Sequence, residues 1–206
     1  MTKTVFEPAI RSRPVYGVLT PRAGALHLMV AEGEGTAAIL GLMAAAGAGA
    51  AQMLAAAHII HVPGLDGTDR SAELQALGAA QFHRAPTFVS ALPRLRRVLA
   101  DAHMGLQIYA SGTEGVMGQV QTEAMAAGLP HGAVQLEHRG SLARRVQCVH
   151  CKGITENVRT DPFACSHCGL NLLVRDHYSR RLAAFQGVNI DAEDPGQVPA
   201  AVERFR

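Results

Sequence analysis

The four cysteines of the chain form two C-x-x-C pairs within one short stretch, and this spacing constrains the local fold more than any other sequence feature. Residues 147–170 read QCVHCKGITENVRTDPFACSHCGL, with Cys148 and Cys151 in the first pair and Cys165 and Cys168 in the second. Two intervening residues let both sulfurs of a pair point at one ion, and a second pair completes a tetrahedral set of thiolates. We therefore predict a closed, structural zinc site in a small zinc ribbon.

A glycine lies just after each pair, where a tight turn brings backbone N–H groups to face the sulfurs. Gly153 and Gly169 are expected to supply the positive φ angle that such a turn often needs. His150 and His167 lie inside the pairs. Because four thiolates already complete the site, we expect both imidazoles at the surface and not among the ligands.

Three other roles for the cysteines remain open at this point. Two disulfides would require an oxidising compartment. Iron binds the same tetrahedral thiolate set, which would make the module an electron carrier similar to rubredoxin. A redox-active dithiol is the third alternative, although one C-x-x-C pair would suffice for that chemistry.

Composition limits the classes of protein to which the chain can belong. Its 206 residues, 48% of them apolar, allow one ordinary domain and a small module. A formal charge of +2 provides no global field that would attract nucleic acid or an anionic membrane. The N-terminal MTKTVFEPAIRSRP lacks the apolar segment of a secretory signal. We therefore expect a cytoplasmic protein that binds neither nucleic acid nor a membrane.

One uncharged stretch, from Gly35 to Leu65, is long enough to cross a bilayer. It consists mostly of alanine and glycine, and its AAAGAGA segment is expected to interrupt a continuous helix. We predict a closely packed part of an α/β domain here.

Strand and helix patterns alternate through most of the chain, which predicts an α/β fold with a doubly wound parallel sheet. The predicted helices begin near Thr36, Ser71, Ala91 and Thr113, and Pro93 is expected in the first turn of the third. The predicted strands lie in the segments ALHLMVA, AAHIIHVPG, PTFVSA, GLQIYASG and GAVQLEHRG.

Four regions follow from this pattern. We predict an extended N-terminal segment over residues 1–22, the α/β domain over 23–140, the zinc ribbon over 141–175 and a C-terminal arm that binds partners over 176–206. In the arm, RDHYSRRLAAFQG predicts a helical turn capped by Asp176. Arginine beside aromatic residues is typical of an interface. The predicted partner-binding residues are Arg175, His177, Tyr178, Arg180, Arg181 and Phe185.

The sheet should present a crevice at the carboxyl ends of its strands, where ligands bind in such folds. The glycine-rich turn AEGEGT there would normally suit a dinucleotide phosphate. Glu32 and Glu34, however, stand where phosphates would lie, and each would oppose binding by about 2–4 kcal/mol. We expect a scaffold whose crevice does not bind a nucleotide.

The chain resembles two known protein families, and each resemblance implies more about its fold and function. ALHLMVAEGEGTAAILGLMAAA, HIIHVPGLDGTDRSAEL and LQIYASGTEGVMGQVQTEAMAAGLPHGAVQLE resemble the nucleotide domain of the ferredoxin reductase superfamily, including phthalate dioxygenase reductases. That superfamily has G-G-x-G and C-G-P-x-x-M patterns where this chain has EGEG at 32–35 and SGTEGVM at 111–117. It also carries a flavin-binding barrel before this domain, whereas only some twenty-four residues precede Ala25 here.

Over nearly its whole length, and above all in CVHCKG and CSHCGLNLLVRDHYSRRLAAFQGVNIDAEDPG, the chain resembles the DmmA subunits of bacterial dimethylamine monooxygenases. The resemblance implies a heteromeric enzyme that uses NADPH and O₂ to convert dimethylamine into methylamine and formaldehyde. It also implies haem, flavin and a 2Fe–2S cluster in partner subunits. This chain would then be a non-catalytic, zinc-containing assembly subunit.

No complete catalytic set is evident in the sequence, since Glu114, His131 and His138 are scattered polar residues near predicted strand ends. The alternative functions are a rubredoxin-like iron electron carrier of the same type of oxygenase, a nucleic-acid-binding zinc ribbon and a pyridine-nucleotide-binding reductase component.

Overall fold

Side chains of the strand Leu26–Glu32 (β1) alternate between two hydrophobic cores, one on each face of a sheet. In the computed structural model, which describes residues 14–102 and 104–206, Leu28 and Val30 belong to one core and Met29 and Ala31 to the other. A strand with two apolar faces must be covered on both sides, as parallel sheets flanked by helices are.

The first sheet is parallel throughout, with the strand order β3-β2-β1-β4-β5. This order confirms the predicted doubly wound α/β fold, with the crossover point between β1 and β4. The other elements of this part of the chain are α1 (Thr36–Ala46), α2 (Ala50–Ala55), β2 (Ala57–Val62), α3 (Ser71–Gln75), β3 (Gln81–Arg84), α4 (Phe88–Ala100), β4 (Leu106–Gly112), α5 (Glu114–Ala126) and β5 (Val134–His138).

Helices cover the two faces of this sheet in separate layers. Helices α4 and α5 pack on the core that contains Leu28, and α1, α2 and α3 pack on the core that contains Met29. The largest buried side chain, Tyr109 of β4, lies in the second core. Burial on both faces explains why the strands read as nearly continuous apolar runs.

The predicted third strand, PTFVSA, is wrong. Thr87 caps helix α4, its hydroxyl accepting a bond from the Ser90 N–H (3.2 Å), so Phe88 begins the helix. Pro93 is accordingly the sixth helical residue and not part of the first turn. The true third strand, β3, is a half-exposed edge strand of polar sequence, which lacks the apolar signal of the inner strands.

The uncharged stretch belongs to the α/β domain and is interrupted after α1, as predicted, but only 28% of its most apolar window is buried, so its helices are less closely packed than expected. Gly47 has a φ of +52° and begins a short 3₁₀ turn that separates α1 from α2. The segment Gly33–Ala55 has the length and mean hydropathy (1.6) of a membrane span. Its Ile39, Leu42 and Met43 pack into the core of the first sheet.

Residues 14–22, the described part of the predicted N-terminal segment, follow the outer edge of β5. The Gly17 N–H donates to the Leu136 carbonyl (3.1 Å), and the Leu19 N–H donates to the Glu137 carboxylate (2.8 Å). The Gln135 side-chain amide also donates to the Thr20 carbonyl. The segment thereby covers groups that an exposed edge strand would leave unpaired. Residues 1–13 lie outside the described residues.

A second sheet of order β7-β6-β11-β10-β9 follows the first. Strands β6 and β11 are parallel, and the other pairs are antiparallel. A separate pair joins β8 to β12. The elements are β6 (Arg144–Cys148), β7 (Ile154–Val158), β8 (Thr160–Asp161), β9 (Phe163–Ala164), β10 (Asn171–Ser179), β11 (Ala184–Asn189) and β12 (Val202–Glu203).

The predicted helical turn at Asp176 is wrong, because residues 171–189 form the β10–β11 hairpin. Strand β10 also crosses the predicted boundary between ribbon and arm at residues 175 and 176. Tyr178 and Phe185 face inward, with their ring centroids 5.0 Å apart, and are almost fully buried in the core of the second sheet. These two residues therefore cannot serve as exposed anchors for a partner.

The end of the chain folds back onto this second core. The Phe205 ring lies 4.3 Å from the Arg144 guanidinium, which stacks on Phe185 from its other side at 4.0 Å. Arg204 forms an ion pair with buried Asp161 (2.6 Å). These contacts hold the last residues against the second sheet and the adjoining β8–β12 pair of the same chain.

Helix α5 joins the two sheets where Tyr178 packs against Gly118. A Cβ placed at Gly118 would overlap the Tyr178 hydroxyl and approach the Ala183 Cβ to 3.0 Å. The Thr122 hydroxyl, one turn further along the helix, donates to the Arg180 carbonyl (2.9 Å). The absence of a side chain at Gly118 is therefore what allows the second sheet to dock.

This joint predicts opposite outcomes for two glycine-to-alanine changes in helices. Gly118→Ala should lower the free energy of unfolding by about 1–3 kcal/mol, because the methyl group overpacks the joint. Gly41→Ala, in an open position of α1, should raise it by about 0.5–1 kcal/mol through helix propensity. Urea unfolding of both variants measures the effect, and a Gly118→Ala protein as stable as the wild type would contradict this view of the joint.

Candidate functional site

The four cysteine sulfurs converge on one point at the end of the second sheet. All four Sγ atoms lie within 4.8 Å of one another. Cys148 and Cys168 are separated by 3.9 Å, and Cys151 and Cys165 by 3.7 Å. A tetrahedron with metal–sulfur bonds of about 2.3 Å has edges of about 3.8 Å. The spacing therefore fits a metal ion with four thiolate ligands, and the cysteines are free thiols, not disulfides.

The two C-x-x-C turns repeat the same backbone hydrogen bonds. In the first, the Lys152 N–H donates to the Cys148 carbonyl (3.0 Å) and the Cys148 N–H to the Gly153 carbonyl (2.9 Å). The second turn repeats both bonds at the corresponding positions, between Gly169 and Cys165 and between Cys165 and Leu170. The Gly153 N–H also lies 3.4 Å from the Cys151 sulfur. Both pairs are thus held in place by their own turns.

The residue with positive φ is not always the predicted glycine. Gly169 has a φ of +76°, as expected, but in the first turn the equivalent residue is Lys152, with a φ of +63°. Gly153 has a different role, because a Cβ there would overlap the His167 ring. The prediction was therefore confirmed in the second turn and wrong in the first.

The two histidines of the pairs are exposed, as expected. His167 nevertheless bridges the two turns, since its Nε2 lies 2.9 Å from the Ile154 carbonyl. Its ring packs on Gly153, so it supports the site without being one of the four sulfur ligands.

Burial differs between the two cysteines of each pair. Cys148 and Cys165 are buried with Leu172 in a small cluster, whereas Cys151 and Cys168 reach the surface. Burial opposes ionisation of Cys165, but N–H groups of Cys168 and His167 outweigh it and lower the pKa of Cys165 to about 6. The bond from the Leu170 N–H lowers the pKa of Cys168, but partial desolvation and hydrogen bonds with the three neighbouring thiols outweigh it and raise this pKa to about 12. Metal binding requires deprotonated sulfurs, so an ion that enters this site releases protons from the thiols.

The crevice of the first sheet, the other candidate site, is occupied by the chain's own carboxylate. Glu32 is buried at the end of β1, and its Oε2 accepts bonds from the Thr113 N–H (2.9 Å) and hydroxyl (2.6 Å). Burial raises the pKa of Glu32, and these two bonds oppose that rise. Thr113 precedes the first residue of α5, so the carboxylate occupies the helix N-terminus that would otherwise attract an anion.

The remaining space in the crevice is small. A cavity of about 80 Å³ lies between the β1 and β2 loops and is bordered by Arg139 and by Arg159, which lies between β7 and β8. Typical ligand pockets measure about 300–1,000 Å³. Glu34, which was expected to oppose phosphates as Glu32 does, is half-exposed and forms an ion pair with Arg70 (3.2 Å). Glu32 is therefore the residue that fills the crevice.

Two of the other polar residues singled out from the sequence, Glu114 and His138, both lie next to Tyr16, whose ring centroid is 5.8 Å from that of His138. Glu114 is buried and accepts a bond from the Tyr16 hydroxyl (2.9 Å). The His138 Nε2 lies 3.2 Å from the Ser141 carbonyl. Of the predicted partner-binding residues, Arg175, His177, Arg180 and Arg181 are exposed.

Sequence reasoning missed the structural roles of Thr113 in the crevice and of Arg144 in the core of the second sheet. Thr113 was detectable, because a threonine before a glutamate at the start of a helix is a recognised cap signal. Arg144 was not, because its position between Phe185 and Phe205 depends on strand pairings that no local pattern reveals.

Two family models match the chain and together cover most of it. Residues 8–134 match the N-terminal domain, and residues 145–188 the C-terminal domain, of proteins described as dimethylamine monooxygenase subunit DmmA-like. The chain belongs to the DmmA-like family. A curated relative, the heme-dependent oxidative N-demethylase delta subunit of Ectopseudomonas mendocina (strain ymp), is 32% identical over 148 residues, which are 69% of this chain and 85% of the relative.

The DmmA-like chain also shows a looser likeness to solved structures. A phthalate dioxygenase reductase matches at 17% identity with a TM-score of 0.45, over 71% of this chain and 46% of that protein. An intact type IV self-sufficient cytochrome P450 monooxygenase matches at 15% identity with a TM-score of 0.43, over 80% of this chain and 27% of that protein. The DmmA-like chain spans less than half the length of either structure.

The sulfur geometry predicts that Cys151→Ser will lose the metal ion, because three thiolates leave the tetrahedral set incomplete. We expect one ion per wild-type chain and far less in the variant, with the second sheet unfolding before the first. His150→Ala, which changes an exposed neighbour in the same turn, should keep the ion. Elemental analysis and thermal unfolding test both. Full metal content and a single unfolding transition in Cys151→Ser would contradict the assignment.

The crevice geometry predicts that replacing Glu32 or Glu34 will change the free energy of unfolding by different amounts. Glu32→Ala should lower the free energy of unfolding by about 1–3 kcal/mol, because two bonds from Thr113 are lost. Glu34→Ala should change it by less than about 1 kcal/mol, since an exposed ion pair contributes little. Chemical denaturation measures both. Equal effects would show that Glu32 does not join the two loops.

Proposed function

We propose that this chain is a structural subunit of a heteromeric N-demethylating oxygenase and carries no catalytic site of its own. Membership of the DmmA-like family and the likeness to a subunit of a heme-dependent oxidative N-demethylase support the assignment. The observation that supports a structural role is the closed set of four sulfurs, which leaves a bound ion no open position for substrate.

The ion that we assign to the four cysteines is zinc. Zinc has no redox chemistry and commonly stabilises small modules whose own core is limited. The core of the second sheet consists of few side chains, chiefly Val146, Val158, Val174, Tyr178, Phe185 and Phe205. Zinc would hold the ends of β6 and β10 together and so keep the hairpin in position for other subunits.

The reaction of the whole complex belongs, in this proposal, to the partner subunits. Dimethylamine, O₂, NADPH and a proton would give methylamine, formaldehyde, NADP⁺ and water. Haem, flavin and a 2Fe–2S cluster in the other subunits would carry the electrons and activate O₂. The crevice occupied by Glu32 supports the placement of the NADPH site elsewhere in the complex.

Reconstitution of the complex with and without this chain tests the proposal. The isolated chain should neither oxidise NADPH nor consume dimethylamine, and omitting it should reduce the yield of assembled complex together with its activity. Cys151→Ser should reproduce the omission, whereas His150→Ala should assemble normally. NADPH oxidation by the isolated chain, or full assembly without it, would contradict a structural role.

A rubredoxin-like electron carrier is the second candidate, and one observation favours it. Two of the four sulfurs, those of Cys151 and Cys168, reach the surface, where an electron could pass to a partner. Iron in this site would give a coloured protein that bleaches on reduction. We expect a colourless protein with one zinc ion per chain. A visible spectrum of iron–thiolate character would replace the structural assignment with the electron carrier.

A further inference from the structure

Most arginines in the described part of the chain pair with a carboxylate, and the unpaired ones are unevenly distributed. Ion pairs form in both halves of the molecule, such as Arg96 of α4 with Glu123 of α5 and Arg145 of β6 with Glu156 of β7. Half of those without an ion pair among the described residues lie in the β10–β11 hairpin. The unpaired set is Arg22, Arg94, Arg159, Arg175, Arg180 and Arg181.

An irregularity in β10 places His177 at the surface beside Arg175. The register of β10 against β11 shifts between Arg175 and Tyr178, so that Asp176 and His177 are inserted as a bulge. The Asp176 carboxylate binds Arg144 (2.7 Å), whose side chain is buried. The Asp176 carboxylate is therefore already paired within the chain, whereas the neighbouring Arg175 and His177 are exposed.

The backbone of the hairpin tip is fixed, although its charged side chains are exposed. The Thr122 hydroxyl of α5 donates to the Arg180 carbonyl (2.9 Å), and the Arg145 guanidinium donates to the Leu182 carbonyl. Ala183, also in the turn, is buried against α5. A surface whose backbone is already ordered loses less conformational entropy when it binds.

We propose that the basic hairpin, consisting of Arg175, His177, Arg180 and Arg181, docks against an acidic face of another subunit of the complex. Guanidinium groups without an internal partner can form paired hydrogen bonds with carboxylates, which give both orientation and affinity. The inference rests on the proposed function. Because Tyr178 and Phe185 are buried in the core of the second sheet, the charged side chains of the hairpin would recognise the partner.

A protein partner fits this surface better than a nucleic acid. The chain as a whole carries a formal charge of only +2. Single-stranded nucleic acids usually bind where exposed aromatic rings stack on the bases, and both rings of the hairpin are buried. Carboxylates of a neighbouring subunit therefore remain the better ligands.

Charge reversal tests the surface in the full-length chain. Arg180→Glu/Arg181→Glu should weaken binding to the other subunits at least about tenfold at 150 mM NaCl. Arg22→Glu/Arg97→Glu makes the same change in net charge at two exposed arginines outside the hairpin and should bind as the wild type does. Wild-type affinity should fall as NaCl rises from 50 to 500 mM. Thermal unfolding and metal content should match the wild type for both variants.

The outcomes distinguish this inference from the proposed function. If the wild type fails to bind the other subunits, the proposed function itself is wrong. If the wild type binds and Arg180→Glu/Arg181→Glu binds equally well, the proposed function stands and the basic hairpin is not its docking surface. Retardation of duplex DNA by the wild type that is lost in Arg180→Glu/Arg181→Glu would identify a nucleic acid partner and overturn the inference.

Discussion

The convergence of four cysteine sulfurs is the constraint on which the second half of this molecule depends. Cys148 ends β6, and Cys165 lies between β9 and β10, so a bound ion connects strands that are distant in sequence. The core between them is small, and the sheet's central pair, β6 and β11, is parallel and formed across a long connection. In our account the ion supplies the missing stabilisation, and the hairpin and the C-terminal residues take their positions from that sheet.

The first sheet is doubly wound and parallel, and the crevice at the ends of its strands holds an internal contact. Glu32 and Thr113 belong to the two loops that would flank a ligand, and here the loops are bonded to each other. Arg159, which follows β7 in the C-terminal part of the chain, borders the same crevice. A domain with this arrangement is suited to carry a second module and present it to other proteins, which agrees with the structural role that we propose.

The parts of the structure that were predictable from the sequence are those with strong local signals. Buried strands such as β1 and β4, the cysteine spacing and the glycine-rich interruption after α1 all follow from nearby residues. Residues 175–187 of the β10–β11 hairpin were mistaken for a helical turn because their charged and apolar residues fit both a helical and a strand period. The actual conformation of the hairpin depends on the pairing of Phe185 with Val146, far away in sequence. The edge strand β3 was missed because half-exposed strands carry little apolar signal.

Hydrogen exchange of the isolated chain, before and after removal of its metal ion by a chelator, tests the central claim most directly. The account predicts that amides of β6, β7, β10 and β11 lose protection when the ion is removed, while those of β1, β2 and β4 keep theirs. Unchanged protection throughout the second sheet of the metal-free chain would contradict it, because the four thiolates would then not be what holds that sheet together.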